Sequence, residues 1–427
     1  MKTAVIGAGW AGCAAAVEAT RLGHHVTVFE AARVPGGRAR RVDNQLPDGT
    51  ALQLDNGQHI LIGAYAETLR LMADVGVDVK AVFLRLPLTL QLPDGSGLKL
   101  PSWPAPLDAL VGIACARGWS WRDKLSLLKL AMGWQLGGFR CAPHESVASL
   151  CRKLSPRVMA ALIEPLCVSA LNTPPERASG QVFLRVMRDA LFSETGGSNL
   201  LLPRVDLSAL LPDAALAWVA RQGGEVRLGT RVQTIAPAAA APGWQVEGES
   251  FDRVLLACPP SEAARLVQDG KGHHASMAAT WLAQTRALAF EALTTVYAVM
   301  PGASLPQAML ALPATPEAPA QFVFDRGQLG GAPGLLAFVI SASVGDNATL
   351  TRQVLAQGER QLGLKGLQAV QTIVEKRATF ACTPGLQRPA AQIAPGCLAC
   401  GDYIAGPYPA TLEGAVRSGL EAARLLA

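Results

Sequence analysis

Apolar positions change their spacing several times along the chain, and each spacing predicts a different element. Lys2 to Ile6 is a short apolar run and reads as a buried strand, Ala11 to Leu22 as a helix of small residues, and His25 to Phe29 as a second parallel strand ending at Glu30. Val42 to Leu54, broken by Pro47-Asp48-Gly49, reads as a hairpin, and Ala64 to Val75 as a helix. From 84 to 92 every second residue is leucine, with Arg85, Pro87, Thr89 and Gln91 between, which predicts one half-buried antiparallel strand turning at 93–97. Between Ser120 and Leu136 the positions Arg122, Ser126, Lys129 and Gly133 recur at helical spacing, while leucines, Met132 and tryptophans fill the remaining circumference. Such a helix, with Trp103, Trp119, Trp121 and Trp134 nearby, suits a bilayer interface or the interior of a domain. Its periodicity does not separate the two. Further helices are expected from Ala178 to Phe192 and Leu207 to Arg221. Strands are expected at Glu225–Leu228, Arg231–Ile235, Trp244–Glu247, Arg253–Ala257, Thr294–Val299, Gln321–Phe324 and Leu335–Ser341. A last strand, Leu398–Cys400, ends at Gly401-Asp402, and a small-residue helix starts after Pro409.

The turn between the first strand and helix is Gly7-Ala8-Gly9-Trp10-Ala11-Gly12, the G-x-G-x-x-G spacing. Gly7 permits the tight turn, Gly9 lets the backbone approach a pyrophosphate, and Gly12 lets the helix pack on the strand. The free N–H groups and positive dipole of the helix start then face the phosphates. Glu30, eighteen residues beyond Gly12 at the tip of the second strand, can accept hydrogen bonds from both ribose hydroxyls and would repel a 2′-phosphate. The ligand expected is FAD or NAD rather than NADP. Four arginines between Arg33 and Arg41 surround Gly36-Gly37, which can bring backbone N–H groups and guanidinium charge to the same diphosphate and favours FAD over NAD. At the other end Asp402 can accept from a ribityl hydroxyl or sit near a phosphate, and the helix start around Thr411 and Leu412 offers N–H donors to the flavin's N1–C2=O edge.

Composition narrows the classes. A chain of 427 residues exceeds one simple core. Half its residues are hydrophobic and 17% charged, with no apolar run long enough to span a bilayer, which suggests a large apolar cavity, a surface resting on membrane, or both. A scattered net charge of +5 argues against nucleic acid and suits an anionic lipid surface. Nine dispersed cysteines, an odd number, predict reduced thiols in the cytoplasm, and Cys397-x-x-Cys400 lacks the second pair a metal site would need. The glycines interrupt any N-terminal signal core, so the expected location is cytoplasmic, including the inner face of the cell membrane.

Gly36-Gly37-Arg38 after an acidic strand end resembles the FAD-binding superfamily of amine oxidases, carotenoid desaturases and their relatives. That resemblance implies a Rossmann-like FAD-binding α/β domain interleaved with an α+β substrate domain containing a mixed or antiparallel sheet and helices. The corresponding segments are 1–80, 206–278 and 391–427 for the first and 81–205 and 279–390 for the second. It also implies that Gly57 and Gln58 pass beside the flavin ring and that Val232 meets the adenine through its backbone. Asp55-Asn56-Gly57-Gln58-His59, Glu164-Pro165-Leu166-Cys167 with Ala170–Pro174, Leu200–Arg204 and Glu413–Gly419 together resemble the hydroxysqualene dehydroxylases of bacterial hopanoid synthesis. The implied reaction is reductive: hydroxysqualene plus reduced FAD gives squalene, water and oxidised FAD. Loss of the allylic hydroxyl after protonation leaves a delocalised cation that a hydride can quench. Asp189, His59 and Tyr403 are the principal candidates for the proton donor, with Glu164 and Arg188 behind them. Implied partners are the isoprenoid lipid, an electron donor (NADPH or a redox protein, since no second dinucleotide fingerprint is present) and other squalene-pathway enzymes. An oxidative polyene desaturase or amine oxidase would keep every FAD motif, although four tyrosines in the whole chain are few for an aromatic-lined amine site. A prenyl-protein carrier of the same fold would lose the flavin contacts that Gly36–Arg38 and Gly401-Asp402 retain.

Overall fold

The structure is a computed structural model and describes residues 1–46, 48–104, 106–191, 196–238, 242–269 and 275–426. Pro47 in the expected hairpin and Phe192 at the expected helix end lie outside the described residues.

One six-stranded sheet gathers distant segments in the order 225–228, 25–30, 2–6, 253–256, 397–399, 392–394. The first five are mutually parallel and the last is an antiparallel edge strand. Its inner strands carry buried valines, leucines and alanines on both faces, as parallel strands covered on both sides require. On one face the helix Trp10–Arg21 packs against the C-terminal helix Leu412–Arg424. The small residues of both are the reason they can approach so closely: a Cβ on Gly419 would lie 2.2 Å from the Ala11 carbonyl oxygen and 3.0 Å from the Ala14 Cβ.

A second, five-stranded antiparallel sheet runs 309–311, 322–325, 335–341, 290–299, 368–380. Its residues alternate between faces with period two. Val323, Phe338 and Ile340 pack beneath the helix Asn347–Leu362 in a core of their own, whereas Phe322, Phe324 and Val339 belong to the main core and face a cavity.

Several elements differ from the sequence expectation for identifiable reasons. The alternating stretch 84–92 is not one strand. Phe83–Leu86 pairs with Leu200–Pro203 while Thr89–Gln91 pairs with Gly97–Lys99 in a separate hairpin, and Pro87, without an N–H, lies at the break. Residues 231–234 form no strand; pairing starts at Ile235–Pro237. The helix expected over 207–221 is two, Leu207–Leu210 and Pro212–Arg221, divided at Leu211 (φ −145°) by Pro212. The helix expected at 120–136 is present as Trp121–Leu136, started by a capping box in which Ser120 and Asp123 satisfy each other's backbone N–H groups. It lies on the surface, with Trp121 80% and Leu136 87% exposed, which removes the reading of a wholly internal helix. Among the described residues no helix is long and apolar enough to cross a membrane.

Candidate cofactor and active site

The first glycine turn and the basic loop are fastened together before any ligand is considered. Gly36 N–H donates to the Ala8 carbonyl at 2.9 Å, Trp10 Nε1 to the Ala39 carbonyl at 3.1 Å, and Gly9 and Gly36 form an isolated parallel bridge. The three glycines of the fingerprint meet different surroundings. A Cβ on Gly12 would fall 1.9 Å from the Gly7 carbonyl oxygen, and one on Gly7 (φ +113°) 2.7 Å from the Ala257 carbonyl oxygen. Both are required by packing and turn geometry. A Cβ on Gly9 would meet nothing nearer than the Gly37 Cα at 4.0 Å, so it would occupy open space in the cavity that Gly9 lines. Gly9 is also the N-cap of the helix Trp10–Arg21, whose start carries no side-chain cap. Uncapped N–H groups over open space are what a phosphate needs.

Around this turn the sequence candidates fall into two sets. Gly9, Trp10, Ala11, Arg38, Gln58, His59, Gly401, Asp402, Tyr403, Thr411 and Leu412 all line one cavity of about 330 Å³, the size of a small-molecule site. Gly7, Gly12, Gly37, Glu30, Gly57, Val232 and Asp189 are not on its wall. Glu30 sits at the strand tip with one carboxylate oxygen accepting from Ala8 N–H at 2.7 Å and the other from Ala32 N–H at 2.8 Å. A carboxylate has about four acceptor sites, so hydroxyl donors can still be received there. Val232 is buried and its carbonyl accepts from Arg265 Nη2 at 3.1 Å.

The four arginines do not converge. Arg38 alone reaches the cavity, where it pairs with Asp402 and donates to the Ala378 carbonyl at 2.9 Å. Burial opposes its charge, but the Asp402 carboxylate more than offsets this and holds the guanidinium protonated. Arg40 folds back on the Gly37 carbonyl at 2.5 Å, and Arg41 turns to Asp206 (3.3 Å) and Asp213 (3.1 Å). Asn56, from the hairpin's end, fixes this loop by accepting from Arg40 N–H at 2.9 Å and donating to the Arg38 carbonyl at 3.0 Å.

The three proton-donor candidates have different environments. Asp189 accepts from Arg185 Nε (2.6 Å), Arg188 Nε (2.9 Å) and Tyr408 Oη (2.7 Å). Burial pushes its carboxyl up, but these bonds outweigh burial and hold it below the usual carboxylate range. Asp189 thus lies off the cavity wall, committed to Tyr408 and to its ion-pair partners Arg185 and Arg188. Glu164 does not line the cavity either. His59 does; its Nδ1 bonds the Gly57 carbonyl at 3.1 Å and burial lowers its pKa, so the ring is neutral near pH 7. Tyr403 is 2% exposed, its Oη has no hydrogen-bond partner, and burial raises its pKa well above the ordinary phenol value. Two of the four tyrosines, Tyr65 and Tyr403, line the cavity, so the scarcity of tyrosine does not leave the site without aromatic hydroxyls.

The rest of the wall is mainly apolar, with Ser169, Asn172, Ser198, Ser341 and Thr379 set into it. Leu166, Val168 and Ala170 come from the helix Glu164–Leu171, Val186, Met187 and Ala190 from Gly180–Leu191, and Phe322, Phe324 and Val339 from the antiparallel sheet. Among the described residues Asp402 is the one carboxylate on the wall, and Arg38 pairs with it. Behind Gln58 lies a buried polar cluster that sequence reasoning missed. Gln58 Nε2 donates to Tyr297 Oη at 2.7 Å, Gln58 Oε1 accepts from Arg326 Nη1 at 3.2 Å, and Tyr297 Oη donates to the Asp55 carbonyl at 2.8 Å. Asp55 Oδ1 accepts from Leu207 N–H at 2.8 Å and Oδ2 lies 3.8 Å from Arg326. Desolvation raises this carboxyl to about 6, against the opposing pull of Arg326. The one hint was local: Arg326 directly follows the apolar strand Phe322–Asp325, and it is buried.

A glycine cradle with an uncapped helix start, a hydroxyl-accepting strand tip and a second helix start at Thr411 match the fingerprint of a dinucleotide-binding flavoprotein. The sequence agrees at the level of family: the model of the flavin containing amine oxidoreductases matches residues 10–427. The chain belongs to that family. Its cofactor is FAD, and it is an FAD-dependent oxidoreductase. This oxidoreductase is 30% identical to a hydroxysqualene dehydroxylase of Rhodopseudomonas palustris, over 99% of its own length and 97% of the relative's. It is 26% identical, with the same coverages, to one from Sinorhizobium fredii. In structure it is similar to an oxidoreductase from Methanosarcina mazei, with a TM-score of 0.72 at 18% identity over 99% of both chains.

Proposed function

We propose that the protein removes the hydroxyl group of hydroxysqualene reductively, giving squalene and water. The observation that carries this reading is the pairing of an FAD cradle with a chamber walled mainly by leucine, valine, methionine and phenylalanine, in which the single carboxylate among the described residues is already paired with Arg38. A long hydrocarbon fits the apolar part of these walls, the few hydroxyl and amide groups suffice for one substrate hydroxyl, and a charged substrate would meet only an arginine and a carboxylate already paired with each other. The full-length similarity to hydroxysqualene dehydroxylases supports the same substrate class.

Gly9, Trp10, Ala11, Glu30, Arg38, Asp402, Thr411 and Leu412 would hold FAD, with Gly57, Gln58 and Gly401 beside it and Val232 toward the adenine. Bound in its reduced form, FAD supplies a hydride. The chain supplies the rest. The apolar walls exclude water from a cationic carbon, and the buried Tyr403 Oη holds a proton that no protein acceptor competes for. His59, neutral and tied through Nδ1 to Gly57, presents Nε2 as a hydrogen-bonding group to the departing hydroxyl. Reducing equivalents come from a transiently bound NADPH or a redox protein, and the oxidoreductase works beside other squalene-pathway enzymes at the cytoplasmic face of a membrane.

The test is anaerobic mixing of photoreduced holoprotein with hydroxysqualene, following flavin absorbance and extracting the lipid. Flavin reoxidation with an equal amount of squalene is the expected result. Reduced flavin that stays reduced, with the oxidised form bleached by a more saturated polyprenoid, would make the protein a desaturase. Tight stoichiometric NADPH binding in the absence of lipid would overturn the transient-donor reading.

A further inference from the structure

The exposed apolar residues of this protein are concentrated in one place. Of the twelve large hydrophobic side chains exposed among the described residues, seven lie between 103 and 136: Trp103, Leu107 and Leu110 on and before the helix Leu107–Cys115, and Trp121, Leu125, Met132 and Leu136 on the helix Trp121–Leu136. The last four are not scattered around their helix. At about 100° per residue they fall within one stripe roughly 60° wide, with Lys129 and Arg122 along one border. Lys124 lies on the other side, its ammonium 5.3 Å from the centre of the Trp121 ring. The opposite face is the packed one. Asp123 and Leu127 are buried, and Trp134 meets Phe183 edge-on with ring centroids 6.2 Å apart. Phe183 belongs to the helix whose Val186, Met187 and Ala190 line the cavity, so a single helix separates the exposed stripe from the substrate chamber.

Charge is concentrated there too. Residues 101–160 hold eight lysines and arginines and three acids, so this short stretch carries a formal net charge of +5, equal to that of the entire chain. Two of the acids, Asp108 and Asp123, are buried at helix starts and accept backbone N–H groups, Asp123 also lying in the field of Arg157, and the third, Glu145, pairs with Arg152 at 3.7 Å.

We infer that this face is a docking surface for an anionic lipid bilayer, with Trp121, Leu125, Met132 and Leu136 entering the headgroup boundary and Arg122 and Lys129 held at the phosphate level. An apolar stripe bordered by cations, with tryptophan at its end, is the pattern of an interfacial helix. A second copy of the chain is a poorer occupant, because an isologous contact would set the same net positive surface against itself. The inference rests on this surface and not on which lipid is the substrate, so it stands or falls independently of the dehydroxylase reading.

The experiment is co-sedimentation of the FAD-loaded protein with vesicles of phosphatidylcholine, with and without phosphatidylglycerol, at low and high salt, alongside sedimentation velocity of the protein alone. Wild-type protein is expected to bind the phosphatidylglycerol vesicles and to release as salt rises. Trp121→Ser/Leu136→Ser and, separately, Arg122→Gln/Lys129→Gln are each expected to weaken that binding at least about tenfold. Both variants should keep full flavin content and the denaturant-unfolding midpoint of wild type, which separates lost docking from lost folding. Failure of wild type to bind either vesicle, or undiminished binding by both variants, overturns the inference. A wild-type dimer that Trp121→Ser/Leu136→Ser dissociates would overturn it in favour of a second copy.

Discussion

Two glycines of one turn should fail in opposite ways when each gains a methyl group. In Gly12→Ala the new carbon would sit 1.9 Å from the Gly7 carbonyl oxygen, 2.9 Å from its carbon and 3.0 Å from the Ala257 Cβ. None of these atoms is the end of a flexible side chain, so the helix Trp10–Arg21 must move away from the sheet by more than 1 Å to restore contact distances. Overpacking of a well-filled core costs about 1–3 kcal/mol, and a clash with backbone belongs at the upper end. In Gly9→Ala the nearest atom is 4.0 Å away and the backbone (φ −72°, ψ 178°) is one that alanine adopts freely, so the apoprotein should keep its stability within about 0.5 kcal/mol. The methyl group instead occupies the approach to the uncapped helix start. Losing a charge-assisted bond from N–H to phosphate is worth about 1.5–3 kcal/mol, or a roughly 10- to 150-fold weaker FAD complex. Denaturant unfolding of the flavin-free protein and fluorescence titration with FAD measure the two quantities separately. Gly9→Ala binding FAD within a few-fold of wild type, or losing as much apoprotein stability as Gly12→Ala, would refute the division of labour between these glycines.

Three further outcomes follow from the site. Tyr403→Phe removes an unpartnered buried hydroxyl, so stability should hold or rise by about 1 kcal/mol; single-turnover squalene formation should nevertheless fall about 100-fold or more, and a wild-type rate would place the proton elsewhere. Asp189→Asn should lower unfolding stability by about 2–3 kcal/mol through its lost charged bonds while leaving the pH profile of turnover unchanged; lost activity at full stability would restore Asp189 as an acid. Asp55, raised to about 6 in the fold against the ordinary value near 4, keeps its proton longer when folded than when unfolded, so stability falls as pH rises between about 4 and 6, by about 3 kcal/mol. Unfolding free energies of wild type and Asp55→Asn should therefore diverge by about that amount across the window, the variant being relatively more stable at the higher pH; parallel curves would show that Asp55 titrates normally.

What could be read in advance was local. The strand Lys2–Ile6, the glycine turn, the helix and the strand ending at Glu30 fall within thirty residues, and each glycine's role depends on neighbours a few positions away. The helix at 121–136 was legible for the same reason, but its periodicity left open whether it faced outward or inward, and only the structure places it on the surface. The alternating leucines at 84–92 misled because period two describes two short strands in different sheets as well as it describes one long strand, and only the missing N–H of Pro87 distinguishes them. The arginine cluster misled differently. Proximity in sequence gave four guanidinium groups to one phosphate, whereas Asp206 and Asp213, more than 160 residues away, claim Arg41. The cluster around Tyr297 offered only the local hint of Arg326 after an apolar strand, since the tyrosine and Asp55 are 242 positions apart and neither belongs to a motif that names the other.

The long-range polar contacts bear on a problem that the proposed hydrocarbon substrate would create. Apolar walls hold such a molecule without direction, because the hydrophobic effect is proportional to area and indifferent to orientation. Placement of one carbon against a cofactor must then come from the relative position of the cradle and the walls. Two buried polar ties fix that position. On one side Gln58 on the cavity wall is held by Tyr297 of the antiparallel sheet and by Arg326 directly after one of its strands; Phe322, Phe324 and Val339 of that sheet line the chamber. On the other, Tyr408, immediately before the lining residues Ala410, Thr411 and Leu412, is held by Asp189 of the helix that contributes Val186, Met187 and Ala190. Tyr408 and Ala410 both adopt positive φ, at +57° and +58°, a conformation that non-glycine residues keep only where their surroundings enforce it. Its ring is also flanked by the Arg185 and Arg417 guanidinium groups, with the latter paired to the fully buried Glu413. Hydrogen bonds of this kind add little net stability over apolar packing, but they tolerate only one geometry. Each tie joins a cofactor-side loop to an element of the chamber wall, and together they supply the directional constraint that the proposed lipid substrate could not.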